Sequence, residues 1–320
     1  MLLWFVLAQT GSSTALIVLK NPRSGSSWFV QLLNSVPSVF VTEEILTSKS
    51  QIHKNLTLVE AHLLRALEVP MTRFGRSHVP RSASSKKPTK WDVVGFTLSP
   101  KRAIGIDLGR LSRRAKVVVY ERTNKIKQAI AYYRGRRLRK KCGYNNIREE
   151  CRLAPKVRVD IGQLETFLVE SMAKDRALGA VQLAEYYRVT YEDLIADANA
   201  TCGAVFRYLG VPHLEMTGDA RFYSKATPDD LRSVVSNFDE LEAWLHRRAP
   251  CLLPHLRETR PGVVQPTPCY DDFLPDIDAR MKEARSWKTA RTGDSPRHHR
   301  RRQGGGRQKK NKQKKMAMGA

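Results

Sequence analysis

The sequence predicts an α/β fold of three layers, with a mainly parallel central sheet flanked by helices. Three observations predict it. The aliphatic residues fall in short continuous runs, such as Ala15–Lys20 and Lys116–Glu121, that end at turn residues, as strands buried on both faces do. Segments with apolar residues at helical spacing alternate with those runs, which calls for crossover connections between parallel strands. The chain is 320 residues long and 41% hydrophobic, enough for one large domain or two small ones, and no repeat recurs at a fixed period.

Ala15–Lys20 is expected as the first buried strand. The loop Asn21–Gly25 follows, and Ser26–Leu33 reads as a helix whose start a serine can cap. Asp92–Leu98 reads as a second strand, preceded by a loop, 72–90, rich in Ser, Lys, Arg and Pro. Lys116–Glu121 is the strongest later strand. A helix is expected from Asn124 to about Arg139, with Ile126 and Ile130 one turn apart. Ile161 to about Ala177 is amphipathic through Leu164, Phe167, Leu168 and Met172. Tyr187–Tyr191 reads as a short strand, and Ala198–Leu209 as a helix stopped by Gly210 ahead of Pro212. After about residue 260 the signals fade. The expected organisation is an apolar leader (1–14), one folded domain (15–260), a C-terminal extension (261–285) and a disordered basic tail (286–320).

The formal charge of +25 is uneven. From Arg285 to Ala320 there are 13 Lys and Arg against one acid, Asp294, so this stretch alone supplies 13 − 1 = +12. It carries almost no large apolar side chain after Trp287 and cannot offset its ordering entropy by burial. It reads either as a solvated tail or as an electrostatic clamp on polyanions: acidic glycan, membrane surface or nucleic acid. Met1–Ala8 is apolar, too short to span a bilayer and without a charged start; it is expected to be the remnant of a signal segment or of a membrane anchor preceding Met1. None of the five cysteines forms a Cys-x-x-Cys pair and no His cluster accompanies them, so no metal site is expected. Two disulfides, Cys142–Cys151 and Cys251–Cys269, with Cys202 left over, compete with five free thiols in a cytosolic protein. The sequons Asn55-Leu56-Thr57 and Asn199-Ala200-Thr201 favour the Golgi lumen or secretory pathway over the cytoplasm.

The chemistry concentrates at Asn21-Pro22-Arg23-Ser24-Gly25-Ser26-Ser27-Trp28. A strand feeding a turn into a helix presents unpaired N–H groups and the positive end of the helix dipole, which together bind phosphate. Gly25 lets the backbone approach closely, Ser26 and Ser27 add hydroxyls, and Arg23 adds a cationic fork. The alternative is an ordinary strand–helix turn. A nucleotide triphosphatase would need Gly-x-x-x-x-Gly-Lys-Ser/Thr; here one Gly is present and no Lys follows it at that place.

This loop, read as Pro22 to Trp28, resembles the 5′-phosphosulfate loop of sulfotransferases, which use 3′-phosphoadenosine-5′-phosphosulfate (PAPS). The Arg23 form is similar to that of carbohydrate sulfotransferases. The resemblance implies a P-loop-like α/β fold. It implies that Pro22, Arg23, Ser24, Gly25, Ser26, Ser27 and Trp28 hold the donor, with Arg23 also stabilising the leaving oxygen. The family's second signature, an Arg after a strand and a Ser about nine residues on, implies that Arg122 holds the 3′-phosphate. Ala131 stands where the Ser is expected, and Thr123 or Lys127 could compensate for that hydroxyl. Val189-Thr190-Tyr191-Glu192-Asp193-Leu194, Phe206–Pro212, Lys225–Arg232 and Val235–Leu241 resemble the C-terminal half of trehalose-type and related members.

Sulfonyl transfer to a hydroxyl needs a base. By resemblance to trehalose-type members, Glu44 takes that role, with Glu43 as alternate and His53 and His62 as fallbacks; adjacent acids on a loop are otherwise simply solvated. The run Arg134, Arg136, Arg137, Arg139, Lys140 and Lys141 is either a solvated helix face or an attractor of an acidic acceptor. The leading expectation is an O-sulfotransferase moving sulfonate from PAPS to a hydroxyl acceptor, a carbohydrate, acidic or not. The alternatives are an inactive nucleotide-binding module of the same fold, and a polyanion- or nucleic-acid-binding protein acting through the tail. The core shows no nucleic-acid-binding signature, so no specific nucleic-acid partner is expected.

Overall fold

The computed structural model of the protein describes residues 13–42, 56–68, 91–99, 106–142, 156–216, 228–260, 273 and 275–279, without the side chains of 56–58, 60, 62, 68 and 137–142. Outside the described residues lie Glu43, Glu44, His53, Asn55, the 72–90 loop, Cys151, Cys269, the leader through residue 12 and the basic tail, as do the side chains of His62, Arg137, Arg139, Lys140, Lys141 and Cys142.

The fold is α/β. Five strands are described: β1 (Thr14–Lys20), β2 (Val39–Thr42), β3 (Val93–Leu98), β4 (Lys116–Glu121) and β5 (Tyr187–Thr190). They form one sheet in the order β2-β3-β1-β4-β5, and every pairing is parallel. The central strand alternates between two cores, as a period of two requires. Leu16 and Val18 face a cluster with α1 (Ser26–Leu33) and α7 (Ala198–Tyr208), and Ile17 and Leu19 face one with α2 (Leu56–Glu68) and α3 (Leu108–Ser112). Phe29, Phe96 and Phe206 are wholly buried, each worth about 1.5–3 kcal/mol of transfer free energy. Strand β5 runs straight into the short helix α6 (Tyr191–Ala196).

A third cluster joins α4 (Lys125–Cys142), α5 (Ile161–Gly179), α8 (Phe238–Arg248) and α9 (Leu253–Arg257) through Ile130, Leu168, Leu241 and Leu256. Helix α5 links two cores, with Met172 in the third cluster and Leu178 in the β3 face cluster. Asp160 caps its start by accepting from the Gln163 N–H at 2.9 Å.

The strand order fixes the sheet's switch point. The chain leaves β1 through α1 toward β2 on one side, and leaves β4 through α4 and α5 toward β5 on the other. The sheet's topological switch point therefore lies between the C-terminal ends of β1 and β4, where open α/β sheets form their ligand crevice. The parallel register sets Lys20 level with Tyr120, so Asn21–Gly25 and Arg122 emerge side by side.

Candidate nucleotide site

The β1–α1 turn departs from the expected serine cap. Gly25 is the N-cap, at φ 90° and ψ 9°, and no side chain caps the helix. The N–H groups of Trp28 and Phe29 both turn back to the Gly25 carbonyl, at 3.0 and 3.3 Å, so the ladder starts there and the N–H groups of Gly25, Ser26 and Ser27 precede it. A β-carbon at Gly25 would sit 2.5 Å from Tyr191 Cδ2, so glycine is required both by φ and by space. Arg23 is also left-handed, at φ 62°, a conformation that costs a non-glycine residue about 1–2 kcal/mol and that clusters at ligand sites. The Ser24 hydroxyl is wholly buried and donates to the Asn21 carbonyl at 2.8 Å, so it shapes the turn.

The loop is braced from beneath. Gln128 Nε2 on α4 donates to the Pro22 carbonyl at 2.9 Å, and its Oε1 accepts from Ser171 on α5 at 3.1 Å. Asn21 Nδ2 donates to Asp175 on α5. Asp175 also pairs with Lys125 at 2.6 Å, both side chains 9% exposed, and Lys125 donates to the Arg122 carbonyl. One buried network thus ties the β1 turn, the β4 turn and α5 together. Burial raises the Asp175 carboxyl above the usual carboxylate range, against the pull of Lys125.

The two strand–helix turns differ in what fills them. At the β4–α4 turn the protein supplies its own anion: Glu192 accepts from the Thr123 and Asn124 N–H groups at 2.9 and 3.1 Å, and Asn124 Oδ1 accepts from the Lys127 N–H at 2.8 Å. What projects from that turn is the Arg122 guanidinium, buried and stacked 4.5 Å from the Tyr191 ring centroid. Tyr191 also packs edge-on to Trp28, at 6.1 Å, and borders Gly25. One tyrosine therefore touches both turns.

Buried polar atoms with no hydrogen-bond partner among the described residues include Asn21 Oδ1 after β1 and Tyr120 Oη and Arg122 Nε at the end of β4. Two of these are donors, beside a turn whose own N–H groups are also donors. Orphaned buried donors call for an explanation, and a bound anion is one. Asn21 and Pro22 also line a depression between α4 and α5, together with Gln128, Tyr132, Phe167, Glu170, Ser171 and Lys174.

The structure sets the Pro22–Trp28 loop and Arg122 side by side at the ends of β1 and β4, joined through Tyr191. Arg23 lies beside α4, with Nη2 3.4 Å from the Ala131 carbonyl and against Gly135, where a β-carbon would come within 2.0 Å of it. Lys127 does not stand in for the hydroxyl that Ala131 lacks: it is buried and paired with Glu258 at 2.9 Å and Asp229 at 3.4 Å. Thr123 offers its N–H to Glu192. Arg134 does not belong to a solvated basic face, being 2% exposed, and burial lowers its guanidinium from its ordinary value. Arg136 is exposed, 5.9 Å from the Phe167 ring. Cys202 is buried as a free thiol whose pKa burial raises to about 12. Tyr120, Gln128, Asp175, Tyr191 and Glu192 escaped the sequence reading as site residues; the one signal was a Tyr-Glu pair directly after a strand.

Among the described residues no group of His, Cys, Asp or Glu could hold a metal ion, and no helix is long and apolar enough to cross a membrane. No protein-family model matches the sequence, and no curated protein matches it. Among solved structures, the chain is similar to the sulfotransferase domain of the Synechococcus PCC 7002 olefin synthase, at 17% identity over 85% of this chain and 96% of that one, with a TM-score of 0.36. It is similar to a sulfotransferase from Alicyclobacillus acidocaldarius, at 14% identity over 77% and 96%, TM-score 0.34. It is also similar to the sulfotransferase domain of the curacin biosynthetic pathway, at 14% identity over 85% and 99%, TM-score 0.35.

Proposed function

We propose that the chain is a sulfotransferase that takes its sulfonate from PAPS and passes it to a hydroxyl of a carbohydrate. The observation that carries this reading is the pairing of two anion-binding elements at one switch point: the open N–H turn at Gly25–Ser27 and the Arg122 guanidinium with its orphaned Nε. Two such elements suit a nucleotide with phosphate at both its 5′ and 3′ positions. The absence of a Lys after the loop glycine argues against γ-phosphate transfer.

In this reading the β1–α1 turn holds the 5′-phosphosulfate and Arg122 the 3′-phosphate. The acceptor hydroxyl attacks sulfur, the bond from sulfur to the bridging phosphate oxygen breaks, and its electron pair stays on the phosphate. The acceptor proton passes to a carboxylate, for which Glu44 is proposed. Arg23 stabilises charge on the leaving oxygen, a charge that exists only as the bond breaks. The Glu192 carboxylate fills the β4–α4 turn and leaves Arg122 as that turn's cationic group. The two sequons and the spacing Cys142–Cys151 and Cys251–Cys269 support a secretory-pathway lumen; Asn199 is exposed, as a glycan acceptor must be. A protein from secretory cells whose mass does not fall after glycan removal would return the cytoplasmic reading.

The test is transfer of labelled sulfonate from PAPS to a panel of neutral and acidic saccharides. Transfer to any member supports the enzyme, and Glu44→Gln should then lower kcat about 100-fold with little loss of donor affinity. Donor binding with no transfer to any acceptor would instead leave a nucleotide-binding module, the reading that Ala131 favours.

A further inference from the structure

We propose that Lys125, Gln128, Ser171 and Asp175 are positioning residues. They fix the spacing between the β1–α1 turn and Arg122, and so set the preference for a nucleotide with phosphate at both ends. The preference rests on the donor reading above, whereas the brace rests on its own geometry. Pro22 and Arg122 each stand two residues beyond Lys20 and Tyr120, which the parallel register pairs. The carbonyl of each is held by a side chain from the start of α4. Gln128 Nε2 donates to that of Pro22 at 2.9 Å, and Lys125 Nζ donates to that of Arg122. The two holding side chains are three residues apart and share a face of α4, with Lys125 Nζ 3.5 Å from Gln128 Oε1.

Each holding side chain is held in turn from α5. Ser171 donates to Gln128 Oε1 at 3.1 Å, and Asp175 pairs with Lys125 at 2.6 Å. Ser171 and Asp175 are four residues apart and so share a face of α5. Asp175 also accepts from Asn21, the first residue after β1. The two partners of the ion pair thus divide the turns between them: Asp175 holds Asn21, and Lys125 holds the Arg122 carbonyl. A buried ion pair is a poor source of stability, because desolvation offsets its attraction. What this pair supplies is a set distance between two strand ends. None of the four residues has to touch the nucleotide. A ligand whose phosphates are a fixed distance apart gains from both elements only where their spacing is held in advance. Loosening the brace should therefore reduce what the 3′-phosphate adds to affinity.

The experiment measures the affinity of the full chain for 3′-phosphoadenosine-5′-phosphate and for adenosine 5′-phosphate. It compares the wild-type protein with Asp175→Asn and with the double variant Asp175→Asn/Lys125→Met. The readout is the ratio of the two affinities, because partial unfolding weakens both nucleotides alike and leaves the ratio unchanged. The ratio should fall about tenfold in both variants, although the double variant leaves no lone buried charge and is the more stable of the two. The double variant therefore stays informative if Asp175→Asn does not fold. A wild-type ratio in the double variant would overturn the proposal, since the network would then serve stability alone. A wild-type protein that binds neither nucleotide, or binds both equally, would sink the donor reading instead. Amide exchange in nucleotide-free protein would still decide the brace. The Trp28, Phe29, Thr123 and Asn124 amides should then exchange about tenfold faster in the double variant, measured against the amides of β3. Equal rates would overturn the proposal.

Discussion

At the scale of single residues, the site depends on buried polar groups that are satisfied in some places and orphaned in others. Asp175 is one of the satisfied ones, serving Asn21 and Lys125 together. Removing one charge of a buried pair leaves the other uncompensated. Asp175→Asn is therefore expected to destabilise the fold by about 3 kcal/mol, read as a lower urea midpoint at unchanged slope. Lys125→Met in the same background should recover part of the loss. Arg23, Gly25 and Arg122 were legible as single residues in the sequence because their types are the chemistry. Tyr191 and Asp175 were not, because their roles come from neighbours 166 and 154 positions away in the chain, across a parallel sheet.

At the scale of elements, strands β1, β3, β4 and β5 and helices α1, α4, α5 and α7 lie within a few residues of where apolar runs and helical spacing put them. Strand β2 was missed because four residues, Val39–Thr42, are too few to show a period. Helices α3 and α6, at five and six residues, are short for the same test. The start of α6 is held by a capping box, Thr190 with Asp193, which the sequence displays but which the expected strand end at Tyr191 concealed. Helix α4 carries the loop's brace at Gln128 and seats Arg23 two turns further on, at Gly135, along the same face. Gly135→Ala separates these roles. Alanine is favoured in a helix interior by about 1 kcal/mol, so stability should hold or rise. The new methyl group would displace the Arg23 guanidinium, so turnover should drop while donor affinity changes little. Single-turnover rates alongside nucleotide titrations check both halves; equal loss in the two would mean that Arg23 serves binding alone.

At the scale of the whole molecule, two cores cover the sheet's faces and a third joins α4, α5, α8 and α9, and the segment at α9 reaches back to the start of α4. Asn124 donates to Glu258 at 2.7 Å and to the His255 carbonyl at 2.8 Å, which pins that segment to the start of α4. His255 is buried, and burial lowers its pKa below the ordinary value, opposed by Glu258 and Glu192 and aided by Lys127 and Lys125. Because its folded pKa lies below its unfolded value of about 6.5, the unfolded chain binds more protons in that window. The stability it contributes is present above that value and is lost as pH falls toward the folded pKa. Urea midpoints should drop between about pH 7.5 and pH 5, and the drop should be smaller in His255→Asn; an equal drop would place the effect elsewhere. The sheet order, and so the switch point, could not be read from the sequence, because the spacing of strands along a chain does not say which strand lies beside which.

The central claim is that β1 and β4 together hold a nucleotide with phosphate at both ends. Calorimetry of the full chain with 3′-phosphoadenosine-5′-phosphate tests it most directly. Saturable heat that does not require Mg²⁺, with affinity about 10- to 100-fold weaker in Arg122→Met and for the nucleotide lacking its 3′-phosphate, is the predicted result. No heat from folded protein at millimolar nucleotide, or equal affinity with and without the 3′-phosphate, would contradict it.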